Sequence, residues 1–112
     1  MIRGTTPTLI LTVEKTDLTD YSLFITLKGK VSSKEFTWDS SDSNVELHSA
    51  SAQDGSVIYL YLTQEDTLAF EKEKVEVQVR WITAEGIAGA TDIAVTEVNQ
   101  ILKDGKIQYL EG

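Results

Sequence analysis

Apolar and polar residues alternate with a period of two over most of the chain, the spacing that sends every second side chain to one face of a β-strand. Within residues 7–14, Leu9, Leu11 and Val13 share one face while Thr8, Ile10 and Thr12 take the other. Residues 21–28 set Leu23, Ile25 and Leu27 against Ser22, Phe24, Thr26 and Lys28. Phe36 and Trp38 fall together within residues 35–39, and Val45 and Leu47 open a further strand ending near Ser49. Residues 56–63 place Ile58, Leu60 and Leu62 inward, with Val57, Tyr59 and Tyr61 outward. Residues 74–83 place Val75, Val77, Val79 and Trp81 inward. A last long strand region covers residues 87–98, and its slip in parity over 96–98 predicts a β-bulge there.

Turn chemistry separates these runs. Asp54-Gly55 predicts a tight hairpin, because Gly tolerates the positive φ that such turns require. Ala84-Glu85-Gly86 predicts another turn, and Asp104-Gly105 one more, followed by a short strand over residues 106–110. One segment breaks the alternation: Thr63-Gln64-Glu65-Asp66 has the form of a helix capping box. With Leu68 and Phe70 behind it, it predicts a single helical turn over residues 63–70, crossing from one sheet to the other. About seven to eight short strands, with turn signals roughly every 8–12 residues, predict an all-β, immunoglobulin-like two-sheet sandwich. Its expected core comprises Leu11, Leu23, Ile25, Leu27, Ile58, Leu60, Leu62, Val77, Val79 and Trp81.

At 112 residues the chain is a single domain, residues 1–112. With 41% hydrophobic residues and a single Pro it has the material for a packed core. It has no Cys, so packing alone must hold the fold, and thiolate metal sites and cysteine nucleophiles are excluded. The absence of disulfides points to synthesis in the cytoplasm. Residues 1–7 contain no apolar signal-peptide core, and no stretch reaches transmembrane length. Ten basic against eighteen acidic residues leave a formal charge of −8. Such a field repels phosphate backbones and anionic lipid surfaces, so neither nucleic acid nor membrane is expected as a partner.

Candidate chemistry is sparse. His48 is the only histidine, and it falls in a predicted strand beside Ser49 without a nucleophile-elbow pattern; it reads as an outward strand residue. One His and no Cys make a poor zinc set. Residues 39–44, Asp-Ser-Ser-Asp-Ser-Asn, followed by Glu46, form the densest oxygen cluster. An EF-hand would need a Gly at its sharp turn and a Glu closing a loop of about twelve residues, and both are missing. The same residue types dominate plain turns, which is the expectation for this loop. Glu14, Asp17 and Asp20 read as solvated loop charge, and Glu71-Lys72-Glu73-Lys74 as a solvated corner that discourages edge pairing. Gly86 and Gly89 lack the spacing of a phosphate loop. The expectation is a non-enzymatic domain with no cofactor and no metal. The remaining candidate is a contact face: Phe24, Val57, Tyr59, Tyr61 and Ile82 lie on the parity opposite the core. They join into one patch if the strand of residues 21–28 neighbours that of residues 56–63.

Four stretches carry a resemblance: Arg3-Gly4-Thr5-Thr6-Pro7-Thr8, then Leu62-Thr63-Gln64-Glu65-Asp66-Thr67-Leu68-Ala69-Phe70, then Val75-Glu76-Val77-Gln78-Val79-Arg80, and Ile101-Leu102-Lys103-Asp104-Gly105. In order and spacing the chain resembles a family of small proteins encoded among the structural genes of tailed phages and prophages of Gram-positive bacteria. Residues 32–53 lie outside the match. The resemblance implies a phage structural or assembly component that is made in the bacterial cytoplasm and incorporated in the virion. Its partners would be other phage structural proteins or further copies of itself, and no catalytic residue is transferred with it. The alternative function for such a sandwich is a carbohydrate- or cell-surface-binding module.

Overall fold

A computed structural model of the chain describes residues 1–110. Eight strands and one short helix follow in the order β1 (Thr8–Val13), β2 (Ser22–Gly29), β3 (Glu35–Asp39), β4 (Val45–Ser51), β5 (Gly55–Tyr61), α1 (Gln64–Leu68), β6 (Glu73–Ile82), β7 (Ala88–Ala90) and β8 (Ala94–Val98). They form two antiparallel sheets. One has the order β1-β5-β4; the other has the order β3-β2-β6-β7, with β8 also pairing to β6. Taking β1 as strand B, this is the immunoglobulin arrangement, B-E-D facing C′-C-F-G, with β7 and β8 sharing the place of G.

The alternation is what builds the core. Leu23, Ile25 and Leu27 of β2, Ile58 and Leu60 of β5, and Val75, Val77 and Val79 of β6 all point between the sheets and are buried, as is Leu62. Leu11 and Trp81, expected in the core, are only partly buried and pack at its margin. Trp81 lies across Gly89, its direct cross-strand partner, where any Cβ would strike the indole. Leu18 and Phe70 complete the core from outside the strands, and Val98 from the end of β8.

The predicted crossover turn is present. Thr63 Oγ1 accepts from the Asp66 amide at 3.1 Å, and Asp66 Oδ2 accepts from the Thr63 amide at 2.8 Å, so each end of the box satisfies the other. Gly55 takes φ +83° at the predicted hairpin. Two expectations differ from the structure. The last strand region is not continuous, and its irregularity lies at residues 91–93 rather than 96–98. β8 keeps an unbroken register on β6 from Ala94↔Val77 to Val98↔Glu73. Thr91 holds the gap: its amide donates to Val79 O at 2.9 Å, and its hydroxyl accepts from the Val79 amide at 3.1 Å. Residues 106–110 form no strand either; their hydrogen bonds run to side chains of α1, Gln64 and Glu65.

Three of the four familiar stretches are tied at one end of the sandwich by Arg3. Its Nε donates to Phe70 O at 2.6 Å and a terminal nitrogen donates to Leu68 O at 2.9 Å. These carbonyls belong to Leu68, the last residue of α1, and to Phe70 just past it, where a cation is favoured. The same guanidinium reaches Asp104 at 3.0 Å. Thr67 Oγ1 donates to Thr5 O at 2.8 Å.

Candidate functional site

The five predicted contact residues do not form one patch. β2 pairs with β3 and β6, and β5 pairs with β1 and β4, so the strands carrying Phe24 and Tyr59 belong to different sheets. Phe24 and Ile82 lie on the outer face of the five-stranded sheet. Val57, Tyr59 and Tyr61 lie on the outer face of the three-stranded sheet. Each residue lies on the outward parity that the alternation predicts, but β2 and β5 are not neighbours, as one patch would require.

The three-stranded face has the more developed aromatic structure. Tyr59 stands between Ile10 on β1 and Glu46 on β4 in direct register. β4 then carries one extra residue between Leu47 and Ser49, and that residue is His48. A bulge re-aims the side chain it carries, and here the imidazole lies flat on the Tyr59 ring, with centroids 4.4 Å apart and planes 7° from parallel. Tyr61 meets Tyr59 edge-on at 6.2 Å. The Tyr61 hydroxyl donates to Glu46 Oε2 at 3.4 Å, and Glu46 Oε1 lies 3.6 Å from His48 Nδ1. Burial among its neighbours, then the Glu46 charge, pushes the Tyr61 phenol up from its usual range, which keeps the hydroxyl a donor. Ile10, at 63% exposed, completes an apolar and aromatic row across the face. Ile10, Glu46 and His48 were not among the predicted contact residues. Ile10 and Glu46 are recognisable only once the register is known, and His48 only once the bulge is.

The five-stranded face is different in kind. Its outer side chains run in cross-strand rows: Glu35, Lys28 and Glu76; then Thr37, Thr26 and Gln78; then Asp39, Phe24 and Arg80. Ile93, from the gap between β7 and β8, helps wall a concavity of about 520 Å3 over them. The Thr26 and Thr37 hydroxyls share a hydrogen bond of 3.0 Å, and Gln78 is held by Thr91 O at 2.9 Å. One aromatic ring thus sits beside hydroxyl, amide and charged groups.

The acidic loops spend their carboxylates on turns. Asp39 Oδ1 accepts from the Ser41 amide at 2.8 Å and from the Ser41 hydroxyl, and these bonds hold Asp39 below the usual carboxylate range. Asp42 Oδ2 accepts from the Asp39 amide at 2.8 Å. Asp17 accepts from the hydroxyl and amide of Thr19, which lower it in the same way. Among the described residues, no group of three or more His, Asp or Glu side chains converges as metal ligands would. No described helix is long and apolar enough to cross a membrane. The Glu71–Lys74 corner departs from its reading as solvated charge: Glu73 is only 7% exposed and holds a neighbouring turn.

No protein-family model, no curated protein and no solved structure matches the chain.

Proposed function

We propose that the domain is a non-enzymatic structural or assembly module of a tailed phage, acting through protein–protein contacts made by the outer face of its three-stranded sheet. The observation that supports this reading is the row Ile10, Tyr59, His48 and Tyr61. Aromatic rings of this kind bury much area with little loss of rotamer freedom, and the Tyr hydroxyl stays available at the rim. Bracing by Glu46 and by ring stacking pre-organises the row, which lowers the ordering cost of a contact. The phage assignment is supported by the four-stretch resemblance. The test is the double substitution Tyr59→Ser with Tyr61→Ser, assayed for binding to the proteins encoded by neighbouring genes. Lost binding with an unchanged melting transition is the expected result; unchanged binding removes this face from the proposal.

A second reading, a carbohydrate-binding module, is favoured by one observation: the concave five-stranded face sets Phe24 beside Thr26, Thr37, Gln78 and Arg80. Titration with oligosaccharides, read on tryptophan-independent signals such as amide shifts of β2, β3 and β6, separates it from the first. Saturable shifts abolished by Phe24→Ala would establish it.

A further inference from the structure

β1 is an edge strand with one partner. It pairs with β5 along its whole length, and among the described residues its backbone bonds to nothing else. In a four-stranded immunoglobulin sheet a strand A lies beside B. Here the residues before β1 go to the other sheet instead. Ile2 pairs in parallel with Asn99, and the Arg3 amide donates to Asn99 O at 3.0 Å. The side of β1 that strand A would cover is left open.

The other edges carry features that oppose strand addition. β4 is bulged at His48, β3 begins on Glu35 and ends on Asp39, β7 has three residues, and Met1 to Arg3 run beside the end of β8. β1 reads TLILTV, with no charge, no Pro and no bulge. Next to it the sheets part: a cleft of about 210 Å3 has Ile10, Leu11 and Thr12 from one sheet facing Val77, Val79 and Ala94 from the other, with Thr91 and Asp92 also lining it. A strand added there finds apolar side chains of both sheets to receive its alternate residues, beside the polar Thr91 and Asp92.

The chain itself carries a segment that fits. Ile107, Tyr109 and Leu110 are 76%, 91% and 88% exposed. Ile107 and Tyr109 are two residues apart, the spacing that puts both on one face of a strand. The start of this arm is held in place: Lys106 pairs with Glu65 at 2.8 Å. The Gln64 amide accepts from the Ile107 amide at 2.8 Å and donates to its carbonyl at 2.9 Å. In an extended chain the N–H and C=O of one residue point the same way. Gln64 therefore occupies one edge of the arm and leaves the amides of Lys106 and Gln108 for the other. Five extended residues span about 17 Å, close to the length of β1.

We propose that the open edge of β1 accepts residues 106–110 of a second copy as an added strand, with Ile107 and Tyr109 seated toward the cleft. This goes beyond the contact-face reading and shares only Ile10 with it. The experiment is sedimentation of the full chain over a concentration series, with amide hydrogen exchange on the same samples. The chain is expected to self-associate and to protect the β1 amides that face the open edge, those not bonded to β5. Ile107→Asp with Tyr109→Asp should give a monomer with those edge amides unprotected, and Thr12→Lys, a charge placed on the edge itself, should do the same. Tyr59→Ser with Tyr61→Ser should leave self-association intact. If the arm variant melts lower than the parent, a free peptide of residues 104–110 decides instead, since in excess it must dissociate the parent. A chain that stays monomeric up to roughly 1 mM overturns the proposal. So does association that survives the arm variant or the peptide, and so does protection of the open-edge β1 amides in a monomer.

Discussion

The carboxylate of Glu73 occupies the space that a side chain on Gly29 would fill. A Cβ built on Gly29 overlaps that carboxylate and lies 2.6 Å from Ser32 Oγ. The missing side chain lets Glu73 reach the turn between β2 and β3. There its Oε1 accepts from the Val31 amide at 2.8 Å and the Ser32 amide at 3.0 Å, while Oε2 accepts from the Glu71 amide at 2.8 Å. Gly29→Ala is expected to destabilise the fold by about 1–3 kcal/mol, the range for forced overpacking. Chemical denaturation of the variant checks it, with exchange at residues 30–33 rising in step.

Glu73 also gives the fold a pH dependence with a defined sign. Burial pushes its carboxyl up, but the Ser32 hydroxyl and the amides of Ser32, Val31 and Glu71 outweigh it and hold it at about 2, against a usual 4.5. The folded state therefore binds this proton less readily than the unfolded state, and the stabilisation is fully present above pH 4.5. It is lost as pH falls from there through about 2. Glu73→Gln should cost about 1.5–3 kcal/mol at neutral pH, as for hydrogen bonds to a charged group. The gap between parent and variant, followed by urea denaturation, should narrow across that acid window. A gap that stays constant would mean the carboxylate is not what holds the turn.

Leu60 is fully buried between the sheets. Leu60→Ala should cost about 2–5 kcal/mol, the range for truncating a buried Leu. A melting temperature within a degree or two of the parent would show that the register of β5 is not the one described.

Arg3 holds the carbonyls of Leu68 and Phe70 at the end of α1 and the carboxylate of Asp104. Arg3→Ala leaves these acceptors without that donor and is expected to cost about 1–3 kcal/mol. Hydrogen exchange should rise at residues 68–70 and 99–104 ahead of the β2 and β6 amides. Uniform loosening of the whole domain would contradict the local role.

Excess calcium should leave the melting temperature unchanged, because a ligand that binds only the folded state must raise it. The carboxylates of Asp39 and Asp42 are already engaged by turn amides. A saturable rise abolished by Asp42→Ala would assign the loop of residues 39–46 to a cation.

What the sequence determined by itself was local. The inward placement of Leu23, Ile25 and Leu27, the turn at Gly55 and the capping box of Thr63 and Asp66 are legible because each depends on dihedrals and hydrogen bonds within a few residues. The tertiary structure decided which strands are neighbours. β2 could keep its parity beside β5 or beside β6, and only long-range pairing chose β6, which sends Phe24 and Tyr59 to opposite faces of the sandwich. It also decided the fate of Glu73. A lone acid between two lysines reads as solvated until a turn some 40 residues earlier in the chain brings its amides to it. Parity comes from the covalent chain, whereas strand neighbours, buried charges and open edges follow from how distant segments share one core.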